Sequence, residues 1–311
     1  MVGSSTGPVI ESEVVTGERL QALAEATVLP RLLAFGDRNP RQIPQNAVVI
    51  GSHREIEGKH LDRLSRSKSI FVYTDAIGLF QDQIWPRLTR DGYVLITHNS
   101  DQQVGPEQIP WIERAGNQLV HWFAQNLTVN HPKLSPLPIG IANREWPHGD
   151  IEVLCEVARE TWEVRPSELI HAAFDLNSHP HRQTAWTAIH SALPGTPERP
   201  PPHAYSYRDY LRDLARHRFC ACPRGNGIDT HRLWESLYLG VVPVVERSTH
   251  TERWAREGIP VVLLDDWCQL SRERLESDPF AEIRFDPPKW LYLSHYARSI
   301  STLTAPLATA S

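Results

Sequence analysis

Residues Phe219–Val245 read FCACPRGNGIDTHRLWESLYLGVVPVV, and this stretch decides the fold. An apolar strand-like run ends at Cys222-Pro223, because proline cannot donate to a central ladder. Gly225 and Gly227 flank Asn226 and permit a tight loop in which backbone can approach a ligand closely. Asp229 or Thr230 is placed to cap the helix that follows. The open N–H groups and dipole of that helix N-terminus suit a phosphate. At 100° per residue, Leu233, Trp234 and Leu237 fall on one side, and His231, Arg232 and Glu235 on the other. A cation beside phosphates and a carboxylate one turn later match a nucleoside diphosphate: Arg232 for the diphosphate, Glu235 for the ribose hydroxyls. Gly240 ends the helix and Val241–Val245 returns to a sheet. An ordinary strand–loop–helix with an Arg–Glu surface pair satisfies the same spacing.

Working outward, short β-branched runs alternate with amphipathic segments. Ala47–Gly51, Ile70–Tyr73, Tyr93–Thr97, Leu119–Phe123 and Leu137–Ile141 read as strands, with a helix over Ile77–Leu88. The pattern restarts with a helix at Ile151–Val164, a strand at Leu169–Phe174 and a helix at Arg182–Leu193. A rigid connection, Glu198–Pro202, follows, then a helix at Tyr207–His217. Strands at Phe219–Cys222, Val241–Val245 and Val261–Leu264 complete the chain's second half, with helices over Thr230–Leu239 and Thr251–Glu257. This order predicts an α/β protein with two Rossmann-like, doubly wound domains facing a cleft. The boundary is expected in Asn143–Asp150: residues 1–148 form the first domain and 149–311 the second, with the last helices packing back on the first.

The 311 residues fit two domains, and 41% hydrophobic residues suffice for two cores. A net charge of −5 gives no general reason to bind nucleic acid or an anionic membrane. No apolar run reaches the roughly 18 residues of a membrane span. The start MVGSSTGPVI lacks a basic, apolar leader, so a cytoplasmic protein is expected. Cys220 and Cys222 lack a second Cys/His pair at zinc-like spacing and read as buried thiols. His179-Pro-His181 likewise lacks evident further ligands. There is no G-x-S-x-G, H-E-x-x-H or G-x-x-x-x-G-K-[ST] to support a hydrolase or phosphotransferase.

The segment PRGNGIDTHRLWESLYLGVVPVV resembles the carboxyl-terminal donor signature of exostosin-like (GT47-type) GT-B glycosyltransferases, P-R-G-x-G-x-D-x-H-R-x-W-E followed by G-x-x-P-V. Pro223, Arg224, Gly225, Gly227, Asp229, His231, Arg232, Trp234, Glu235, Gly240, Pro243 and Val244 fill every position. His98-Asn99-Ser100-Asp101, Ala124-Gln125-Asn126, Pro138–Asn143 and Asp265-Asp266-Trp267 resemble further blocks of this broad group. The resemblance implies a transferase that moves a sugar from a nucleotide-sugar to a hydroxyl acceptor, a glycan or small molecule, with inversion. Arg232 would hold the diphosphate and Glu235 the ribose, while Arg224, Gly225, Asn226, Gly227, Asp229 and His231 form the donor loop. Arg182, opening a helix after Phe174–His181, is a second diphosphate candidate. Asn143 and His148 would touch the donor.

Inversion needs a base for the acceptor hydroxyl, and the leaving diphosphate needs charge stabilisation. Arginine and a helix N-terminus supply the latter, so no metal and no cofactor are expected. Asp101 is the first choice for the base, His98 the second and Asp75 the third, all just past buried strands of the first domain; each is also a natural turn former or cap. A catalytically silent nucleotide- or glycan-binding relative is the alternative.

Overall fold

The computed structural model describes residues 9–30, 46–50, 58–198, 204, 206–280, 285 and 287–305. Two compact units emerge, and neither is continuous in sequence. One combines Gly17–Leu137 with the described residues from Leu293 onward; the other combines the described residues up to Thr16 with Pro138–Tyr292. The division thus falls at 137/138 rather than at the expected 148/149, and each unit borrows one chain end.

The Gly17–Leu137 unit holds six parallel strands: β1 (Ala26–Pro30), β2 (Ala47–Ile50), β3 (Ser69–Tyr73), β4 (Tyr93–His98), β5 (Leu119–Gln125) and β6 (Leu134–Leu137). Their order is β2-β1-β3-β4-β5-β6. Every residue of β3 and β4 is buried, as inner strands of a parallel sheet require. The order reverses at β1, so β1 and β3 flank the point where such sheets open a crevice at their carboxyl ends. Three expectations need correcting. No strand is expected from the sequence at β1, ATVLP, where Thr27 interrupts the apolar run and Pro30 ends it. The helix expected over Ile77–Leu88 is present but changes winding. It runs from an α turn (Ile77–Leu79) through a wider π stretch (Phe80–Ile84) to a 3-10 turn (Trp85–Arg87) with Pro86 near its start, and the chain is extended at Leu88. Those turns still bury Phe80, Ile84, Trp85 and Leu88 against Trp111 and Trp122. The last strand ends at Leu137 instead of starting there, since Pro138 stops it. Gly51, the expected end of β2, lies outside the described residues.

The other unit holds four parallel strands, β7 (Glu168–His171), β8 (His217–Ala221), β9 (Val242–Glu246) and β10 (Val262–Leu264), in chain order without reversal. The expected strand over Leu169–Phe174 is therefore shorter and starts earlier. Both faces are nonetheless covered. Helices Ile151–Thr161, Tyr207–Ala215 and His231–Tyr238 pack on one side; helix Pro180–Ala192 and Trp267 pack on the other. The connection from β7 to β8 alone delivers one helix to each face. This covers a four-stranded sheet without the strand reversal of a doubly wound order. From residue 199 on, the expected rigid connection lies outside the described residues.

The amino-terminal segment completes this unit. Val14 is buried in its core, the Val15 N–H donates to the Tyr238 hydroxyl at 2.9 Å, and the Ile141 N–H donates to the Val15 carbonyl. All four cysteines are free thiols, three of them buried. Among the described residues, no helix is long and apolar enough to cross a membrane.

Candidate functional site

The β8 ladder runs to the Cys222 N–H, which donates to the Val244 carbonyl, and stops at Pro223. The loop 223–230 then turns back over the carboxyl end of the sheet. Its shape is set from two sides. Arg182, on helix Pro180–Ala192, donates from Nε to the Arg224 carbonyl at 3.0 Å and from Nη1 to the Asp175 carbonyl and the Ser178 hydroxyl. A Cβ on Gly225 would stand 2.9 Å from Arg182 Nη2, so a side chain here would push the guanidinium aside. Arg224 folds over its own loop and donates to the Asn226 carbonyl.

Asp229 holds the second side. Its carboxylate accepts from Trp234 Nε1, the Thr230 N–H and the Ile139 N–H, the last at 2.8 Å. Next to it, His231 Nδ1 lies 2.7 Å from the Gly140 carbonyl. Segment 138–143 therefore docks onto the loop from 90 residues away. Gly140 is required there: its φ is +67°, and a Cβ would stand 2.3 Å from the Val15 carbonyl oxygen. Asn143 continues this segment and accepts the Trp146 N–H at its carbonyl, and the His148 ring meets His231 edge to face.

The cap differs from the expected one. Thr230 occupies the cap position, but its side chain makes no capping bond, and its buried hydroxyl has no hydrogen-bond partner among the described residues. Asp229 is drawn instead to Trp234 and Ile139. The first turn of helix His231–Tyr238 thus lacks a side-chain cap, which leaves its donors for an anion.

Arg232 and Glu235 follow on that helix, both nearly fully buried. Arg232 Nε and Nη1 are buried and make no hydrogen bond among the described residues. Two buried guanidinium nitrogens without acceptors carry a desolvation cost, and the oxygens of an anionic ligand would offset it. Burial works against its charge, but the acidic neighbourhood of Tyr210, Cys220, Cys222 and Glu235 outweighs that and raises its pKa. Arg182 is pushed down to about 10, chiefly by burial and then by the Arg232 charge. His148 is lowered by partial desolvation and by Arg232. Arg182, Arg232 and His148 thus share one positive neighbourhood.

Burial lifts Glu235 to about 7, against the opposing pull of Arg232 and of Tyr210, whose hydroxyl donates to Glu235 Oε2 at 3.0 Å. The buried Tyr207 hydroxyl faces the same carboxylate outside hydrogen-bond geometry. A carboxyl with a raised folded pKa binds more protons in the native state than in the unfolded one. Its stabilising contribution is complete below pH 4.5 and lost as pH rises through 7. Urea unfolding across pH 4.5–8 is therefore expected to show wild type losing roughly 3 kcal/mol more than Glu235→Gln. Parallel profiles for the two proteins would refute this. Taking the difference removes other groups, such as His171, that titrate in the same direction.

A cavity of about 270 Å³ opens at the carboxyl ends of β8, β9 and β10, lined by Arg224, Thr230, His181, Glu246, Arg247 and Asp265 among others. Arg232 and Glu235 do not line it. Thr230 connects the two, as a wall of the cavity and the residue before the uncapped helix. Within the cavity His181 pairs with Glu246 and Arg247 with Asp265, while Arg224 donates to backbone carbonyls of its own loop. Arg232, outside the cavity, keeps two buried nitrogens without hydrogen bonds among the described residues. Asp266 caps the turn Trp267–Gln269, accepting from the Cys268 N–H.

The three candidate bases sit at the carboxyl ends of β3 and β4 in the Gly17–Leu137 unit. His98 is buried, with Nδ1 3.1 Å from Asn99 Oδ1. Asp75 accepts from the Ser100 hydroxyl at 2.7 Å. Asp101 is exposed. Two sequence blocks meet here: the Asn99 N–H donates to Gln125 Oε1, and Asn126 Nδ2 donates to the Ser100 carbonyl. Asn99 and Asn126 both adopt left-handed backbone, at φ 60° and 53°, which asparagine tolerates better than most residues. Gly17 is required beside them, since a Cβ would collide with the Asn99 side chain.

Sequence reasoning missed three contributors: the Val15 strand, Tyr210 on Glu235, and Ser178 on Arg182. Only Tyr210 carried a signal, its helical phase on Tyr207–His217. Compared with known proteins, the chain matches no family model and no curated protein.

Proposed function

We propose that the protein is a GT-B glycosyltransferase that transfers a sugar from a nucleoside diphosphate to a hydroxyl acceptor, with inversion and without a catalytic metal. The observation that carries this reading is Arg232, whose buried Nε and Nη1 lack partners beside a helix N-terminus with no side-chain cap. Glu235, one turn on, is the acceptor for ribose hydroxyls. The two units are the donor and acceptor halves of the enzyme, and the described part of the chain offers no membrane-spanning helix.

In the reaction, the acceptor oxygen bonds to the anomeric carbon as the bond from that carbon to the diphosphate oxygen breaks. The acceptor proton passes to the Asp101 carboxylate. The charge released on the diphosphate is met by Arg232 and the helix N–H groups, donors already aimed and dehydrated before the bond breaks.

The test is a calorimetric and thermal-shift screen of UDP, GDP, CMP and dTDP with their sugars, followed by turnover of the donor that binds. One nucleoside diphosphate is expected to stabilise the protein as a native-state ligand does. Turnover, measured below the melting temperature of the chelated protein, should survive EDTA. Absence of binding by every nucleotide would overturn the donor site. Loss of turnover restored only by Mg²⁺ or Mn²⁺ would overturn the metal-free chemistry.

A further inference from the structure

At the amino end of β8, opposite the cavity, two buried histidines meet two carboxylates. Glu168 opens β7, Asp213 lies in the last turn of helix Tyr207–Ala215, and His217 opens β8. One ligand atom from each of Glu168, Asp213 and His217 falls within 4.8 Å of the other two. His171, at the end of β7, is the fourth candidate: its Nε2 lies 3.3 Å from Asp213 Oδ2, while the mutual 4.8 Å grouping holds for the other three. Both imidazoles have wholly buried side chains, and their rings pack edge to face at 5.1 Å.

The tautomer of His217 follows from its surroundings. Its Nδ1 lies 2.8 Å from the Asp213 carbonyl, which only accepts, so Nδ1 carries the proton. Nε2 then points at Glu168 Oε2, 3.1 Å away. A nitrogen lone pair and a carboxylate oxygen repel at that distance unless a cation, proton or metal, lies between them. His171 separates the two cases. Its buried Nε2 faces the Asp213 carboxylate outside hydrogen-bond geometry, which leaves that nitrogen for an ion the carboxylate also meets. Two protonated imidazoles would also lie side by side out of water, a costly arrangement.

We propose that His171, His217, Glu168 and Asp213 bind one Zn²⁺-class ion that ties β7, β8 and the end of helix Tyr207–Ala215 together. Tetrahedral ligands at about 2.0–2.2 Å from zinc stand roughly 3.3 Å apart, close to the 3.1 and 3.3 Å of the two His–carboxylate pairs. Two imidazole nitrogens select a first-row transition metal over Mg²⁺ or Ca²⁺, which take oxygen ligands. Two carboxylates neutralise the dication. The Asp213 carbonyl orients His217 as an outer partner orients a ligating imidazole, and Arg216 holds the other oxygen of Glu168 at 3.3 Å. On binding, any proton on either Nε2 leaves to solvent, so affinity falls as pH drops below the imidazole range. All four ligands being protein atoms, the ion is structural.

The experiment titrates full-length, chelator-stripped protein with Co²⁺ and then Zn²⁺ at pH 7.5. The expected result is one equivalent of Co²⁺ with tetrahedral d–d absorption and no thiolate charge-transfer band, displaced by Zn²⁺. At a hundred-fold excess over Kd, Zn²⁺ should raise Tm by about 5 °C or more. Glu168→Gln, a part-exposed position that leaves the core intact, should bind at least about ten-fold more weakly, and its stripped form should melt with stripped wild type. Asp213→Asn is the second variant, should the first misfold. Failure of wild type to bind one equivalent, a charge-transfer band from Cys220 or Cys222, or unchanged affinity in both variants would overturn the assignment. None of these outcomes bears on nucleotide binding.

Discussion

Replacing Arg232 with alanine is expected to weaken nucleoside-diphosphate binding by roughly 2–4 kcal/mol, about 30- to 1,000-fold. Two of the guanidinium nitrogens are buried without partners, so an arriving phosphate meets donors that need not be desolvated again. Folding should not suffer in proportion. The substitution removes a buried charge that already depresses Arg182, at the cost of a contact between the guanidinium and the Phe174 ring at 5.8 Å. Arg232→Lys should recover only part of the affinity, because an ammonium keeps the charge but loses the planar fork. Isothermal calorimetry on folded variants checks this, and unchanged affinity in Arg232→Ala would remove Arg232 from the donor site.

Asp101→Asn is expected to lower kcat by about 10²- to 10⁴-fold with donor affinity nearly intact, the usual worth of a general base. The residue is exposed in the turn after β4, so the change should move stability by no more than about 0.5 kcal/mol. The turn itself is held by Asn126 and Gln125 and does not depend on the Asp101 carboxylate. The other two candidates are more occupied: Asp75 is bonded to Ser100, and His98 is buried against Asn99. Steady-state kinetics of the three variants ranks them, and a fully active Asp101→Asn enzyme passes the role to His98 or Asp75. NMR of the product anomer supplies an independent check. A retained configuration would discard the dedicated base in favour of a front-face transfer assisted by the donor phosphate.

The sequence by itself determined the parallel α/β character of the chain and the strand–loop–helix–strand around residues 219–245. Both are local properties: buried β-branched runs of four to seven residues, a proline that ends a ladder, and a 3.6-residue period that puts Arg232 and Glu235 on one helix face. Tertiary structure decided what those side chains meet. It turned Asp229 from a cap into the anchor for Ile139, gave His231 to Gly140, placed Arg182 under the loop, and left Arg232 Nε and Nη1 without hydrogen bonds among the described residues. It also joined the Val15 segment to the carboxyl-terminal sheet, whereas the return of Leu293–Thr304 to the amino-terminal unit is as expected from the sequence. Asp213 and His217 stand four residues apart in sequence, but Glu168 joins them only because β7 and β8 lie side by side in register, Glu168 against His217. Periodicity along a chain reports which face of an element is buried. Which polar groups are satisfied depends on partners as far as 223 residues away, as for Val15 and Tyr238, and only packing brings those together.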